Sequence, residues 1–170
     1  MPSSRAHVSA QPQLYTRKQR ELRDSTVWTL VQGFLAPLQF LVFIISLFLI
    51  CRYFFSGEGY QIAAYSVVIK TAVLLVIMVT GAIWEKVVFG QYLLAPAFFW
   101  EDIVSFFVIA LHLIYVIVLF ADLLSDHNKM GLALAAYALY LVNAMQFLLK
   151  LRAARVASTS FKKHDGEVVA

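Results

Sequence analysis

From Ser25 to Cys51 the chain carries no charged residue. At about 1.5 Å rise per residue, roughly 20 apolar residues cross the hydrocarbon core of a bilayer, so this stretch spans it with length to spare. Three more stretches follow the same rule. Residues 62–84 are charged only at Lys70, 103–121 lie between Asp102 and Asp122, and 130–149 lie between Lys129 and Lys150. A chain in lipid must satisfy its own backbone N–H and C=O groups, and helices of this length do so. The pattern defines an all-α polytopic membrane protein with four transmembrane helices in one bundle. The bundle occupies 24–150, with a polar basic segment over 1–23 and a polar tail over 151–170. Pro37 predicts a kink in the first span. Gly57, Glu58 and Gly59 predict a short turn after it, and Asp24 or Ser25 is its expected N-cap. Thr16–Arg23 reads as a short interfacial helix.

With 61% hydrophobic and only 14% charged residues, the chain has too little polar surface to cover itself in water. Its net charge of +4 sits at the two ends. That placement points to membrane orientation and contact with anionic lipid, not to nucleic acid. Four spans put Arg5, Arg17, Lys18, Arg20, Arg23, Lys86, Lys150, Arg152, Arg155, Lys162 and Lys163 on one side, against Arg52 and Lys129 on the other. By the positive-inside rule the first side, with both termini, is cytoplasmic. The polar first 24 residues lack the pattern of a cleavable signal peptide. Cys51, the single cysteine, excludes an internal disulfide and a thiolate metal cluster.

Polar residues inside the spans fall on single faces at about 100° per residue. They are Trp28, Gln32, Gln39 and Ser46 on the first helix, and Lys70, Gly81, Trp84 and Glu85 on the second. The third carries Glu101, Ser105, His112 and Tyr115, a stripe that Asp122 extends. Tyr140, Asn143, Phe147 and Lys150 cluster more loosely on the fourth. Four such stripes predict a bundle with a polar interior. Ordinary interhelical hydrogen bonding explains the amides and hydroxyls as well as function does. Lys70 and His112 call for more, because burying an ionisable group is costlier, although Lys70 lies near the outer end of its helix and snorkelling towards water competes.

The densest segment is Gly81–Asp102, GAIWEKVVFGQYLLAPAFFWED. It gathers Trp84, Phe89, Tyr92, Phe98, Phe99 and Trp100 around Glu85, Lys86, Glu101 and Asp102. Gly90 and Pro96 break regular helix, which predicts a hairpin or a re-entrant loop at the cytoplasmic interface. An aromatic belt at the membrane boundary explains Trp and Tyr, but neither this many Phe nor two acidic clusters that each follow a tryptophan. Aromatic walls with a few acids describe a pocket for a large planar ligand with a reactive edge. His112 is the one histidine clearly within a span, so a bis-histidine haem site is excluded, while single axial ligation of a macrocycle's metal is not. Neither a metal-hydrolase pattern nor a glycine-rich phosphate loop is present.

The stretches TVWTLVQGFLAPLQFLVF (26–43), VTGAIWEKVVFGQYLLAPAFFWEDIVS (79–105) and NAMQFLLKLRAAR (143–155) resemble the 3-vinyl bacteriochlorophyllide hydratase family of bacteriochlorophyll synthesis. The resemblance covers roughly residues 14–155. It implies a hydro-lyase that adds water across the 3-vinyl group of a chlorin or bacteriochlorin, giving a 3-(1-hydroxyethyl) group. It implies no cofactor of the protein's own, since the magnesium belongs to the pigment. The implied location is the inner membrane, cytoplasmic or intracytoplasmic. The implied partners are the tetrapyrrole substrate, the lipid bilayer and other enzymes of the pathway, and a homo-oligomer is compatible with it.

Such a reaction needs an acid to protonate the terminal vinyl carbon and a base to take a proton from the attacking water. Glu101 or Glu85 is the expected donor, with Asp102 or the other glutamate positioning water. Trp84, Phe98, Phe99 and Trp100 are the expected walls, with Lys70 beside them. Lys86 is expected on a pigment carboxylate, and His112 on the pigment magnesium or a ring carbonyl. A pigment carrier or assembly factor would use the same aromatic loop and His112 without needing acids at the pigment edge. A small transporter would need a continuous polar route, which the outer halves of the first and fourth helices do not offer.

Overall fold

The computed structural model describes residues 14–168, with side chains as far as Arg155, and among these residues it is all helix and loop. The elements are α1 (Arg17–Ser25), α2 (Val27–Ser56), α3 (Tyr60–Phe89), α4 (Phe99–Phe120) and α5 (Asp126–Val168). Four segments are long and apolar enough to cross a membrane: α2, α3, α4 and Asp126–Arg155 of α5. The molecule is a polytopic membrane protein of four spans. Arg5 and the side chains of Lys162 and Lys163 lie outside the described residues.

The interfacial helix α1 starts with a capping box. The Thr16 hydroxyl accepts the Gln19 N–H at 3.3 Å and the Gln19 side chain accepts the Thr16 N–H at 2.9 Å. The N-cap of the first span is Thr26, not Asp24 or Ser25, and its hydroxyl accepts the Trp28 N–H at 3.4 Å. Both of those residues are the last of α1 instead. Helix α2 is continuous through Pro37 and runs on to Ser56. The turn is therefore only Gly57–Gly59, where both glycines adopt left-handed φ of 72° and 83°, a region open to glycine because it lacks a Cβ.

Helix α3 likewise continues past Trp84 to Phe89 and ends at Gly90, again left-handed at φ 85°. The connection to α4 is thus the short loop 90–98, and the first half of the aromatic, acidic segment is helical. Helix α5 does not stop at 149. Leu151, Arg152, Ala153, Ala154 and Arg155 are strong helix formers, and the helix extends through the region expected as a tail.

The spans form two hairpins, α2 with α3 and α4 with α5, and α1 lies against α3. Between the hairpins sits an apolar core that includes Phe43, Ile50, Val67, Val108, Met130 and Tyr137. Large apolar side chains such as Leu30, Phe34, Phe48, Phe55, Phe107 and Phe120 point outward, as lipid contact requires. The polar stripes turn inward: Gln39, Ser46, Lys70, Glu85, Glu101, Asp102, Ser105, His112 and Asn143 are all buried. At the far end Lys129 binds Asp122 and Asp126, the latter at 3.2 Å. The ammonium beside Asp122 holds that carboxyl below its usual range.

Candidate active site at the Glu85–Asp102 end of the bundle

Glu85, near the end of α3, and Asp102, in the first turn of α4, are both buried. The loop joining their helices turns back onto them. The Ala95 N–H donates to Glu85 Oε2 at 3.2 Å, and the Leu94 N–H donates to Asp102 Oδ2 at 2.6 Å. Aiming two successive amides at two carboxyls requires an unusual backbone: Leu93 and Leu94 both take left-handed φ, 54° and 55°. Side chains with a Cβ avoid that region, and such strain persists where the surroundings over-determine it. The two carboxyls are also close enough to act on each other electrostatically.

Glu101 precedes Asp102 and faces elsewhere. Its Oε2 accepts from Lys150 Nζ on α5 at 2.5 Å. Its backbone carbonyl accepts from Ser105 Oγ at 2.9 Å, and that oxygen accepts in turn from Asn143 Nδ2 at 2.7 Å. Three acids therefore occupy one end of the bundle in two settings, a carboxyl pair gripped by backbone amides and a single carboxylate neutralised by lysine.

Aromatic rings close over this end. Phe98 is only 2% exposed and lies 5.8 Å, centroid to centroid, from each of Trp84, Phe89 and Phe147. Tyr15, from the segment before α1, stacks on Phe89 at 5.7 Å. Trp84 Nε1 donates to Thr29 Oγ1 at 2.9 Å, and Thr29 donates to the Arg23 carbonyl at 2.6 Å, which ties α3 to α1 and α2. Phe99 and Trp100 lie outside the cluster, 39% and 68% exposed, with their rings 5.4 Å apart. Lys86 is also outside, its Nζ donating to the Gly90 carbonyl at 2.7 Å and lying 5.3 Å from the Tyr92 ring.

Lys70 and His112 form a separate cluster. Neither is exposed at all. Lys70 Nζ lies 2.9 Å from His112 Nε2 and 3.8 Å from the centre of the Tyr140 ring, so the lysine does not snorkel. His112 Nδ1 donates to the Val108 carbonyl at 2.7 Å, which leaves Nε2 as the acceptor that Lys70 fills. His112 stacks on Tyr137, whose hydroxyl donates to Ser46 Oγ at 2.6 Å. The eleven helical steps from Glu101 to His112 separate the two clusters by roughly 16 Å along α4.

The structure thus brings together Trp84, Glu85, Phe98, Glu101 and Asp102. It sets Lys86, Phe99 and Trp100 on the rim, and Lys70 and His112 deep in the bundle. It adds Lys150, which the sequence shows only as part of a loose stripe, and Tyr15, which no periodicity marks. Among the described residues no three histidine, cysteine or acidic side chains are grouped as metal ligands.

Buried acids gathered beneath an aromatic cover, at one end of a four-span bundle, define a membrane protein with a candidate active site at the end of its spans. A family model described as 2-vinyl bacteriochlorophyllide hydratase matches residues 15–153. The 2-vinyl bacteriochlorophyllide hydratase of Rhodobacter capsulatus is 59% identical over 160 residues, 94% of this chain and 92% of that protein. The protein of the same name from Cereibacter sphaeroides is 65% identical over 144 residues, 84% and 89% of the two chains. No solved structure matches. The chain belongs to the 2-vinyl bacteriochlorophyllide hydratase family, the vinyl group so numbered being the one numbered 3 above.

Proposed function

We propose that this protein adds water to the vinyl group of a chlorophyllide or bacteriochlorophyllide, giving the 1-hydroxyethyl derivative, and that Glu85 and Asp102 carry the proton transfers. The observation behind this reading is the carboxyl pair, held by two successive loop amides, in a chain so similar to proteins named for this hydration. Two buried carboxyls side by side do not both ionise readily, because like charges repel strongly where water is excluded. The pair therefore holds a proton between them. It delivers that proton to the terminal vinyl carbon, leaving a cation on the carbon attached to the ring, which the macrocycle delocalises. Water attacks that carbon and returns a proton to the pair, so the acid is regenerated and no redox step occurs.

Glu101, held by Lys150 and turned away from the carboxyl pair, supports the site beside the reacting edge and takes no part in the proton transfer. Phe99, Trp100 and Tyr92 form an exposed aromatic rim on which the flat pigment lies, with Lys86 placed for a pigment carboxylate. Lys70 and His112 hold the hairpins together and do not touch the pigment. The excess of basic residues at this end supports a cytoplasmic position for it and for both termini, in the inner membrane.

The test is to incubate membranes bearing the protein with 3-vinyl chlorophyllide and follow the pigment by chromatography and mass. A product heavier by one water is expected, and replacing Glu85 by Gln or Asp102 by Asn should slow its formation by about a hundredfold or more. Tight pigment binding with no change of mass would favour a carrier instead.

A further inference from the structure

Tyr15 is 4% exposed, yet among the described residues its O–H has no acceptor, and the Arg23 guanidinium beside the hydroxyl can only donate to it. Its ring is well held. It stacks on Phe89 at 5.7 Å and 18°, approaches Phe98 at 6.4 Å, and carries the Arg23 guanidinium 4.8 Å from its centre. A buried donor left unpaired is uncommon and calls for a reason. Phenylalanine would make the same ring contacts without that cost. The hydroxyl is set among Arg23, Asp24 and Glu85, and burial, the largest influence on it, raises its pKa. It is thus a protonated donor at neutral pH.

Resting on the hydration reading above, we propose that Tyr15 is a further catalytic residue, whose hydroxyl holds the water that adds to the vinyl-bearing carbon. Glu85 receives a backbone N–H on one oxygen and interacts with Asp102, which leaves the pair to exchange protons with that water. Tyr15 forms and breaks no covalent bond. It donates a hydrogen bond to the water oxygen and fixes its approach, while the proton released on addition goes to the carboxyl pair. The water adds as oxygen to the ring-attached carbon and as hydrogen, by way of the pair, to the terminal carbon, so the atoms balance with no other reactant. The reach of α1 back over the site is what makes this possible. Its capping box and the Arg23–Thr29–Trp84 hydrogen bonds hold Tyr15 against α3.

The experiment compares wild type, Tyr15→Phe, Glu85→Gln and Asp102→Asn in membranes, using 3-vinyl chlorophyllide as substrate, with thermal unfolding measured in parallel. Tyr15→Phe should lower kcat about tenfold, the worth of one hydrogen bond. It should leave KM for the pigment unchanged, because the ring contacts persist. It should unfold at the same or a higher temperature, since a buried O–H without an acceptor has gone. A purely structural tyrosine would instead lose stability and leave kcat alone. Unchanged kcat in Tyr15→Phe, beside an active wild type and a slow Glu85→Gln, overturns the proposal and leaves the hydration reading standing. A wild type that forms no hydrated pigment, or Glu85→Gln and Asp102→Asn that both match it, overturns that reading itself.

Discussion

Glu101 and Asp102 are neighbours in sequence but about 100° apart around α4, and that offset gives them opposite surroundings. Asp102 meets the loop amides and Glu85 of the other hairpin, whereas Glu101 meets Lys150 from α5, its own hairpin partner. The Lys150 and Glu101 side chains are 26% and 10% exposed, so their ion pair is partly screened and worth less than a fully buried one. Lys150→Met should lower stability by about 1–2 kcal/mol, chiefly by leaving Glu101 without its cation. Adding Glu101→Gln to that variant should restore most of the loss. Thermal unfolding in detergent across the double-mutant cycle measures the coupling, and additive effects would show that the pair does not join α4 to α5. The three acids were legible in the sequence because an acid beside a span demands a reason. Their division of labour was not, since it depends on where loop 90–98 turns back, and left-handed φ at Leu93 and Leu94 leaves no mark on composition.

Lys70 on α3 and His112 on α4 make the deepest polar contact between the two hairpins. No carboxylate is paired with Lys70 among the described residues, so the contact relies on the imidazole's lone pair. His112→Leu should therefore cost about 1–3 kcal/mol by stranding a buried amine without its acceptor. The double variant Lys70→Met with His112→Leu replaces both groups by apolar ones of similar size and should unfold near the wild-type temperature. A double variant as unstable as His112→Leu alone would mean that the loss comes from packing around Tyr137 and Tyr140. The stripes that carry Lys70 and His112 were readable from helical periodicity, as were all four spans. The ends were not. Thr26 displaces Ser25 as N-cap because α1 uses Ser25 as its last residue, and α3 runs to Phe89 because nothing before Gly90 stops it. Charge marks where a helix leaves lipid, while the caps mark where it ends, and in α5 the two differ by many residues.

The whole molecule inverts the arrangement of a water-soluble protein, with apolar side chains outward and ionisable ones within. That leaves its orientation to the basic residues flanking the spans. Arg17, Lys18, Arg20, Arg23, Lys86, Lys150, Arg152 and Arg155 share the end that holds Glu85 and Asp102, while Arg52 and Lys129 lie at the other. Each cationic residue near an anionic leaflet contributes about 1 kcal/mol, so this asymmetry favours the cytoplasmic side for the proposed site. Two exposed loop residues report it: Glu58, between α2 and α3, and Gln91, between α3 and α4. With Cys51 replaced by Ala, Glu58→Cys should react with a membrane-impermeant maleimide only in right-side-out vesicles, and Gln91→Cys only in inverted ones. Labelling of both from one face would contradict the odd number of spans between them. The reverse pattern would place the acid pair on the outer face. A pigment arriving from the cytoplasm would then have to cross the bilayer before meeting Glu85, which would count against the proposed rim of Tyr92, Phe99 and Trp100 as its landing surface.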